Sequence, residues 1–216
     1  MSSTHESTNF FLNGPTGKLE AVLWTPAGAA APFAALVCHP HPLFGGTMHN
    51  KVVFHAAKAL DALGIAVLRF NFRGAGLSEG SHDQGQGELD DVRSALEFLG
   101  EEFPGTPLLV AGFSFGCWVG LRVGCEDGRV EKLIAIGAPV NSSDFSYLAQ
   151  CVKPKLFVHG LNDQFGEVGK LRQMVAKLPG DNELVVVDGV DHFFTGKIEE
   201  LGQAVTGWLQ PAVRHT

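Results

Sequence analysis

Three residue types that together carry out acyl-transfer chemistry occur in this chain in a recognisable order. Ser114 stands in the pentapeptide GFSFG, residues 112–116, with a glycine two positions before it and another two positions after it. Asp163 and His192 follow later in the chain. A serine hydroxyl becomes a nucleophile when an imidazole accepts its proton and a carboxylate orients that imidazole. The pattern therefore predicts Ser114 as nucleophile, His192 as base and Asp163 as the orienting carboxylate.

The residues around Ser114 favour this interpretation over a simpler one. An apolar, strand-like run, LLVAGF, precedes the serine, and a helix-like stretch follows it. A sharp turn from strand to helix brings neighbouring segments close, so side chains at the two glycine positions would clash, and it lifts the hydroxyl to the helix N-terminus. The alternative is a serine that only caps the helix.

Two other aspartates compete with Asp163 for the role of orienting carboxylate. Asp191 is adjacent to His192, and Asp188 lies nearer the end of the preceding strand-like run. Neighbouring loop residues rarely point at each other, whereas Asp163 follows a different strand and precedes His192 by a long segment. The order Ser, Asp, His is the one expected for a nucleophile on this kind of turn. Asp163 is therefore preferred, with a turn-forming role as its alternative.

The loop HPHPLFGG, residues 39–46, is the candidate second half of an oxyanion hole. The first donor is expected to be the N–H of Phe115, the residue after the nucleophile. Pro40 and Pro42 have no N–H to donate. The remaining candidates in the loop are His41, Leu43 and Phe44, of which His41 is favoured.

Other chemistries are weaker interpretations of the same residues. His39 and His41, with His49 and His55, could ligate a metal, but prolines stiffen the first pair and no cysteine or carboxylate lies nearby in sequence. The segment RGAGLSEG, residues 73–80, resembles a phosphate loop but does not open a helix. We expect a structural glycine turn there, and no metal or cofactor.

A cluster of acidic residues near the start of a predicted helix has a simpler interpretation. Glu88, Asp90 and Asp91 complement the helix dipole from the first turns, so we expect solvated carboxylates and not a catalytic pair. Arg73 is expected to support its loop through an ion pair.

The elements that must position these residues alternate along the chain. An N-terminal hairpin with a turn near 13–17 is followed by short apolar runs that do not alternate with polar residues, which is typical of strands covered on both faces. Those strands are predicted at 33–38, 65–70, 108–113, 132–137, 155–160 and 183–187. Helices are predicted at 48–63, 86–100, 115–125, 166–178 and 197–209.

This alternation predicts an α/β fold with a mostly parallel sheet of about eight strands. Because ligands bind outside the carboxyl ends of such strands, Ser114, Asp163 and His192 should meet at one sheet edge, each after a different strand. No linker or repeat divides the sequence, and we expect a single domain over residues 1–216.

Composition excludes several classes of partner. The formal net charge is −7 with 16 Lys+Arg, so a nucleic-acid backbone would be repelled. The polar start lacks the pattern of a signal peptide, and no apolar run is long enough to span a membrane. Of the four cysteines, Cys117 and Cys125 would lie about 12 Å apart on one helix, beyond disulfide reach. We expect a cytoplasmic monomer or homodimer with reduced thiols.

Taken together, these motifs resemble the α/β-hydrolase superfamily. GFSFG resembles its nucleophile elbow, NFRGAGLSEG its D-x-R-G-x-G-x-S loop, and HPHPLFGGTMHNKVV its oxyanion loop. The last stretch is similar to small bacterial predicted hydrolases, distantly akin to dienelactone hydrolases. Pro40 stands where many members have glycine, and dienelactone hydrolases use cysteine where this chain has Ser114.

The resemblance implies an open site, since members with a lid insert it after the sixth strand and only residues 138–154 are available here. The pocket walls are expected to be Phe44, Phe115, Phe165, Phe193 and Phe194. We therefore expect a carboxylesterase-like hydrolase acting on a small ester or related acyl compound through an acyl-enzyme. An acyltransferase or peptidase with the same triad, and a domain that binds a small ligand without turnover, remain the alternatives.

Overall fold

The computed structural model describes residues 5–27 and 31–213, and these form one eight-stranded sheet covered by helices on both faces. The strands are β1 (His5–Gly14), β2 (Gly17–Pro26), β3 (Ala34–Cys38), β4 (Ala66–Phe70), β5 (Leu108–Phe113), β6 (Val130–Ile136), β7 (Lys155–Gly160) and β8 (Asn182–Val187). The helices are α1 (Lys51–Asp61), α2 (Gln86–Glu102), α3 (Phe115–Glu126), α4 (Val168–Val175) and α5 (Ile198–Val213).

The sheet is parallel except at its N-terminal edge. Its strand order is β1-β2-β4-β3-β5-β6-β7-β8, with β1 antiparallel to β2 and β2 antiparallel to β4. All the other neighbours are parallel. The α/β fold predicted from the sequence, with a mostly parallel sheet of about eight strands, is confirmed.

The apolar runs in the strands follow from burial on both faces. In β3, Ala34, Leu36 and Cys38 belong to the core under α2, α3 and α4. The alternate residues Ala35 and Val37 belong to the opposite core, under α1 and α5. Because successive side chains point to opposite faces, both sets must be apolar.

The sheet order creates a crevice where the chemistry was expected. From β3 the chain crosses to β4 on one side, and later returns to β5 on the other side. The loops that leave the carboxyl ends of β3 and β5 therefore diverge and leave a cleft between them. The 39–50 loop and Ser114 lie at the two sides of this switch point.

Helix boundaries differ modestly from those predicted. The first helix begins at Lys51 rather than 48, because the Asn50 side chain accepts a hydrogen bond from the Val52 N–H at 2.9 Å and caps it. Before it, Pro42–Phe44 form a single turn of 3-10 helix. Between β6 and β7 the chain forms one short 3-10 helix, Ser146–Gln150, so no lid domain is inserted there.

Candidate active site

Ser114 occupies a strained turn between β5 and α3. Its backbone has φ 55° and ψ −121°, in the left-handed half of the map that residues with side chains rarely adopt. The turn is held by the Ser114 N–H, which donates to Ile136 O at 2.9 Å, and by Ser114 O, which accepts from the Cys117 N–H at 3.0 Å. Such strain persists only where the surrounding structure imposes it, and it clusters at functional sites.

The two glycines of GFSFG are required by close backbone approach. A β-carbon on Gly116 would collide with the carbonyl oxygens of Cys38 and His39 in the neighbouring strand end. A β-carbon on Gly112 would collide with the backbone of Gly116 and Cys117. The β5–α3 turn can therefore lie against β3 only when both positions lack side chains.

The Ser114 side chain does not act as a helix cap. Ser114 occupies the N-cap position of α3, but its hydroxyl makes no capping hydrogen bond. Phe115 begins the helix, so its N–H has no intrahelical acceptor and points from the positive end of the helix dipole. The hydroxyl and this N–H thus lie together at the carboxyl edge of the sheet.

Asp163 and His192 meet through a short hydrogen bond although they lie on different loops. The His192 Nδ1–H donates to Asp163 Oδ2 at 2.7 Å, and both side chains are almost fully buried. Asp163 Oδ1 accepts from the N–H groups of Phe165 at 2.8 Å and Gly166 at 3.1 Å. The carboxylate is fixed from both sides, and His192 lines the same cavity as Ser114.

The rival aspartates serve other purposes. Asp191 accepts hydrogen bonds from the Phe193 and Thr195 N–H groups and from the Thr195 hydroxyl, all within its own turn. Asp188 is exposed to solvent. Of the three carboxylates considered from the sequence, only Asp163 contacts the His192 ring among the interactions described.

A second histidine, which the sequence analysis did not single out, lies beneath Asp163. His159 is fully buried at the end of β7, and its Nε2–H donates to Gly166 O at 2.6 Å. The same nitrogen is 3.6 Å from Asp163 Oδ2. Burial lowers the pKa of His159, so the ring is neutral and supports the 160–166 loop without adding charge. Its position four residues before Asp163 was the available signal.

The 39–46 loop uses most of its own N–H groups. The N–H of Leu43 donates to His41 Nδ1 at 3.3 Å, and the N–H of Phe44 donates to His41 O at 3.1 Å. Of the three candidate donors predicted from the sequence, the His41 N–H is the one not used in these turn contacts. A β-carbon on Gly46 would collide with the Pro40 and His41 carbonyls, so the loop closes tightly at that glycine.

His39 cannot serve as the first ligand of a metal site in this arrangement. Its Nδ1–H donates to Pro40 O at 2.6 Å, and its Nε2 accepts from the Phe72 N–H at 2.9 Å. Burial lowers its pKa to about 4. Both ring nitrogens thus join the end of β3 to the segment after β4. Among the described residues no group of three or more His, Cys, Asp or Glu side chains is arranged to hold a metal ion.

The expectation that Glu88 and Asp91 are solvated is wrong. Both are completely buried at the start of α2. Asp91 accepts a two-pronged ion pair from the Arg73 guanidinium, with Nη2 to Oδ1 at 2.7 Å, together with the Arg73 N–H. The predicted ion pair of Arg73 therefore exists, and it is the reason that Asp91 can be buried.

Glu88 connects α2 to the candidate oxyanion loop. Its carboxylate accepts from the N–H groups of Asp83 and Gly85 and lies 2.7 Å from His82 Nδ1. The His82 ring packs against His41 with centroids 4.6 Å apart, and His41 packs on Phe115 at 4.8 Å. Burial, and then the neighbouring His82, lower the pKa of His41.

The 73–80 segment forms a glycine turn that braces the N-terminal hairpin. The Ser78 hydroxyl donates to Asn71 O and accepts from the Glu20 N–H. The N–H of Glu79 donates to Lys18 O. These backbone groups are committed to protein partners, which is the structural role expected from the sequence.

The candidate site opens into a cavity of about 350 Å³ whose wall includes both Ser114 and His192. Of the predicted aromatic walls, Phe44, Phe165 and Phe193 line it, and they are 85%, 45% and 39% exposed. The other two predicted walls are not in its lining. Phe115 packs beneath His41, and Phe194 is fully buried in the core under α1 and α5.

Comparison with known proteins places this chain in a family. Residues 34–155 match the model of a family described as serine aminopeptidase, S33. An alpha-beta serine hydrolase homologue from Coxiella burnetii has a TM-score of 0.89 and 38% identity, covering 94% of this chain and 97% of its own. A serine hydrolase without lid from Xanthomonas campestris has a TM-score of 0.88 and 37% identity, covering 95% and 94%.

An esterase shares the fold at lower identity. The esterase Pf2001 from Pyrococcus furiosus has a TM-score of 0.82 at 19% identity and covers 97% of this chain and 93% of its own. Among the residues described here, no helix has both the length and the apolar character needed to cross a membrane. The matches over most of the chain, and the sheet with its flanking helices, establish that this protein belongs to the α/β-hydrolase superfamily.

Proposed function

We propose that this protein is a serine esterase that cleaves small, uncharged carboxylic esters through an acyl-enzyme. The observation that carries the proposal is the Asp163–His192 hydrogen bond of 2.7 Å beside a strained Ser114, with Ser114 and His192 on one cavity wall. The esterase from Pyrococcus furiosus described above supports ester substrates, and the family supports a hydrolase.

In this mechanism the Ser114 hydroxyl attacks the ester carbonyl carbon while His192 Nε2 takes its proton. Asp163 keeps the Nδ1–H tautomer of His192 and stabilises the imidazolium that forms. The N–H groups of Phe115 and His41 stabilise the oxyanion of the tetrahedral intermediate. His192 then protonates the leaving alcohol, and a water molecule, deprotonated by His192, releases the acid and restores the Ser114 hydroxyl.

The cavity lining favours uncharged and aromatic groups. Its three phenylalanine rings offer apolar surface, and the described residues that line it include no Lys, Arg, Asp or Glu. The volume of about 350 Å³ lies at the small end of ligand pockets. An aryl or short acyl ester would fill it without leaving a buried charge unpaired.

A peptidase is the second candidate, because the matched family model carries that description. An aminopeptidase must bind a free α-ammonium group, for which a carboxylate is the ordinary partner. The described lining of the cavity has none. An aminoacyl p-nitroanilide separates the two candidates, because an aminopeptidase cleaves it, whereas the esterase proposal predicts almost no release of p-nitroaniline.

The direct experiment is turnover of p-nitrophenyl esters by Ser114→Ala. Removing the nucleophile should lower kcat by about 10³-fold or more, since the remaining binding groups supply only part of the catalysis. Ser142→Ala, an exposed serine outside the site, is the matched control and should keep full activity. An active Ser114→Ala protein would contradict the proposal.

A further inference from the structure

Two cysteines that the proposed chemistry does not use lie together at the far end of α3. Cys125 is in the last turn of this helix, and Cys151 ends the 3-10 helix Ser146–Gln150. Both line one cavity of about 560 Å³, which is separate from the cavity at Ser114. Cys125 is partly exposed, and Cys151 reaches the surface through this cavity.

The two thiols influence each other's titration. Each shifts the pKa of the other, in opposite directions. The side-chain interaction with Cys125, together with Lys153 and Lys155, lowers the pKa of Cys151, while the same interaction and burial raise the pKa of Cys125. The pair therefore favours the thiolate on Cys151 and the thiol on Cys125, as in reactive cysteine pairs.

Two lysines are fixed around the pair by backbone carbonyls. Lys153 Nζ donates to Gly124 O at 2.7 Å and to Asp127 O, on either side of Cys125. Lys155 Nζ, fully buried, donates to Cys151 O and to Lys153 O at 2.8 Å. These bonds tie the Cys151 segment to the end of α3 and hold two ammonium groups beside the thiols.

The other two cysteines provide an internal contrast. Cys38 in β3 and Cys117 in α3 are completely buried, and burial raises the pKa of each thiol. Neither reaches a cavity described for this chain. Access to a cavity therefore selects Cys125 and Cys151 among the four cysteines, and the lowered pKa of Cys151 makes it the more reactive of the two.

We propose that Cys125 and Cys151 form a reversible disulfide when a hydroperoxide oxidises the Cys151 thiolate. The Cys151 sulfur attacks the peroxide oxygen and becomes a sulfenic acid, and the peroxide is reduced, releasing water (from hydrogen peroxide) or an alcohol. The Cys125 sulfur, after losing its proton, displaces the sulfenic oxygen as a second water. Two thiols lose two electrons and two protons in total, and a dithiol reductant reverses the step.

The test treats the reduced full-length protein with hydrogen peroxide and measures intact mass and a peptide map. The proposal predicts the loss of two hydrogen atoms per chain, a Cys125–Cys151 cross-link within one chain, and Cys38 and Cys117 still alkylatable after unfolding. Dithiothreitol should restore the starting mass. A cross-link between chains, oxidation that begins at Cys38 or Cys117, or four unreacted thiols would overturn it.

Variants assign the two roles. In Cys125→Ser the Cys151 sulfenic acid should persist and be trapped by dimedone, whereas Cys151→Ser should leave Cys125 reduced at the same peroxide concentration. Cys38→Ala is the control that keeps both cysteines and should cross-link like the parent.

Lys153→Met tests the electrostatic contribution without removing a thiol. It should slow the peroxide reaction several-fold at neutral pH, because one of the two ammonium groups beside the Cys151 thiolate is lost. An unchanged rate in this variant would contradict the role given to the lysine.

Because Ser114 lies about 16 Å along α3 from Cys125, its reaction with a fluorophosphonate should be retained in the oxidised protein. Loss of the serine reaction alone would count against the esterase, not against the cysteine pair.

Discussion

Asp163 and Asp191 both lie close to His192, and the hydrogen bonds that each accepts decide what it can do. Asp191 is next to the histidine in sequence, but its carboxylate is fully used by the turn through Thr195. Asp163 is remote in sequence, yet two backbone N–H groups hold one of its oxygens and leave the other for His192. A carboxylate that orients an imidazole must itself be held still.

Exchanging each carboxylate for an amide separates these roles. Asp163→Asn should lower kcat for ester hydrolysis by about 10³- to 10⁴-fold, because the amide favours the wrong imidazole tautomer. Asp191→Asn should keep most of the activity and instead lower the midpoint of thermal unfolding. Steady-state kinetics with a p-nitrophenyl ester makes the comparison, and equal losses in both variants would count against the assignment of Asp163.

Residue types and positions in the sequence were sufficient to propose Ser114, Asp163 and His192 as site residues. They did not predict the burial of the charged residues nearby. Glu88 and Asp91 have the spacing of solvated helix-start carboxylates and are buried nonetheless. Their partners, Arg73 and His82, come from an irregular loop whose path no periodicity predicts. Burial of a charge depends on a partner across space, and a single sequence does not report such pairs.

At the scale of elements, the close packing of α3 against the end of β3 makes the serine turn possible. Gly116 marks the contact, since its missing side chain leaves room for the carbonyls of Cys38 and His39. The end of β3 is also joined to the segment after β4, because His39 hydrogen-bonds to both Pro40 and Phe72. Each of these two contacts yields a prediction about stability.

Gly116→Ala should destabilise the protein by at least about 2 kcal/mol, because backbone on both sides blocks any relaxation. The matched control is Gly207→Ala in α5, where nothing lies within 4 Å of the added carbon. Replacing this unobstructed helical glycine with alanine should raise the free energy of unfolding by about 0.5–1 kcal/mol. Thermal unfolding should shift in opposite directions for the two variants, and a shared direction would contradict the packing described.

His39 should make stability depend on pH. Burial lowers its pKa from 6.5 to about 4. Between pH 6.5 and pH 4, His39 is therefore protonated in the unfolded chain and neutral in the folded chain. This contribution, about 3 kcal/mol, is fully present above pH 6.5 and is lost as the pH falls toward 4.

Urea unfolding at a series of pH values measures this slope. His39→Gln keeps an acceptor for the Phe72 N–H but cannot be protonated, so its slope between pH 6.5 and 4 should be shallower than that of the parent. The acidic residues common to both proteins cancel in the comparison. Parallel slopes would mean that His39 is not held neutral.

Most elements could be predicted because the parallel strands are apolar on both faces. The runs at 33–38 and 108–113 closely match β3 and β5. The order of strands across the sheet was not predicted, since it depends on which faces meet after folding. The aromatic residues show the same limit, because Phe193 lines the cavity while the adjacent Phe194 enters the core.

At the scale of the whole molecule, the sheet acts as a frame that brings separate loops to one edge. The 39–46 loop follows β3, Ser114 follows β5, Asp163 follows β7 and His192 follows β8. The residues of the proposed site are distant in sequence, so only the folded sheet brings them together. The reactive serine should therefore exist only in the folded chain, and its activation reports the assembly of the entire site.

Covalent labelling by a fluorophosphonate probe tests this claim most directly, with intact mass and peptide mapping as the measurement. The folded protein should take up one probe molecule per chain, on Ser114, and the His192→Ala protein or the urea-unfolded chain should take up almost none. A folded protein that stays unlabelled, or one labelled at another serine, would contradict the proposed catalytic site.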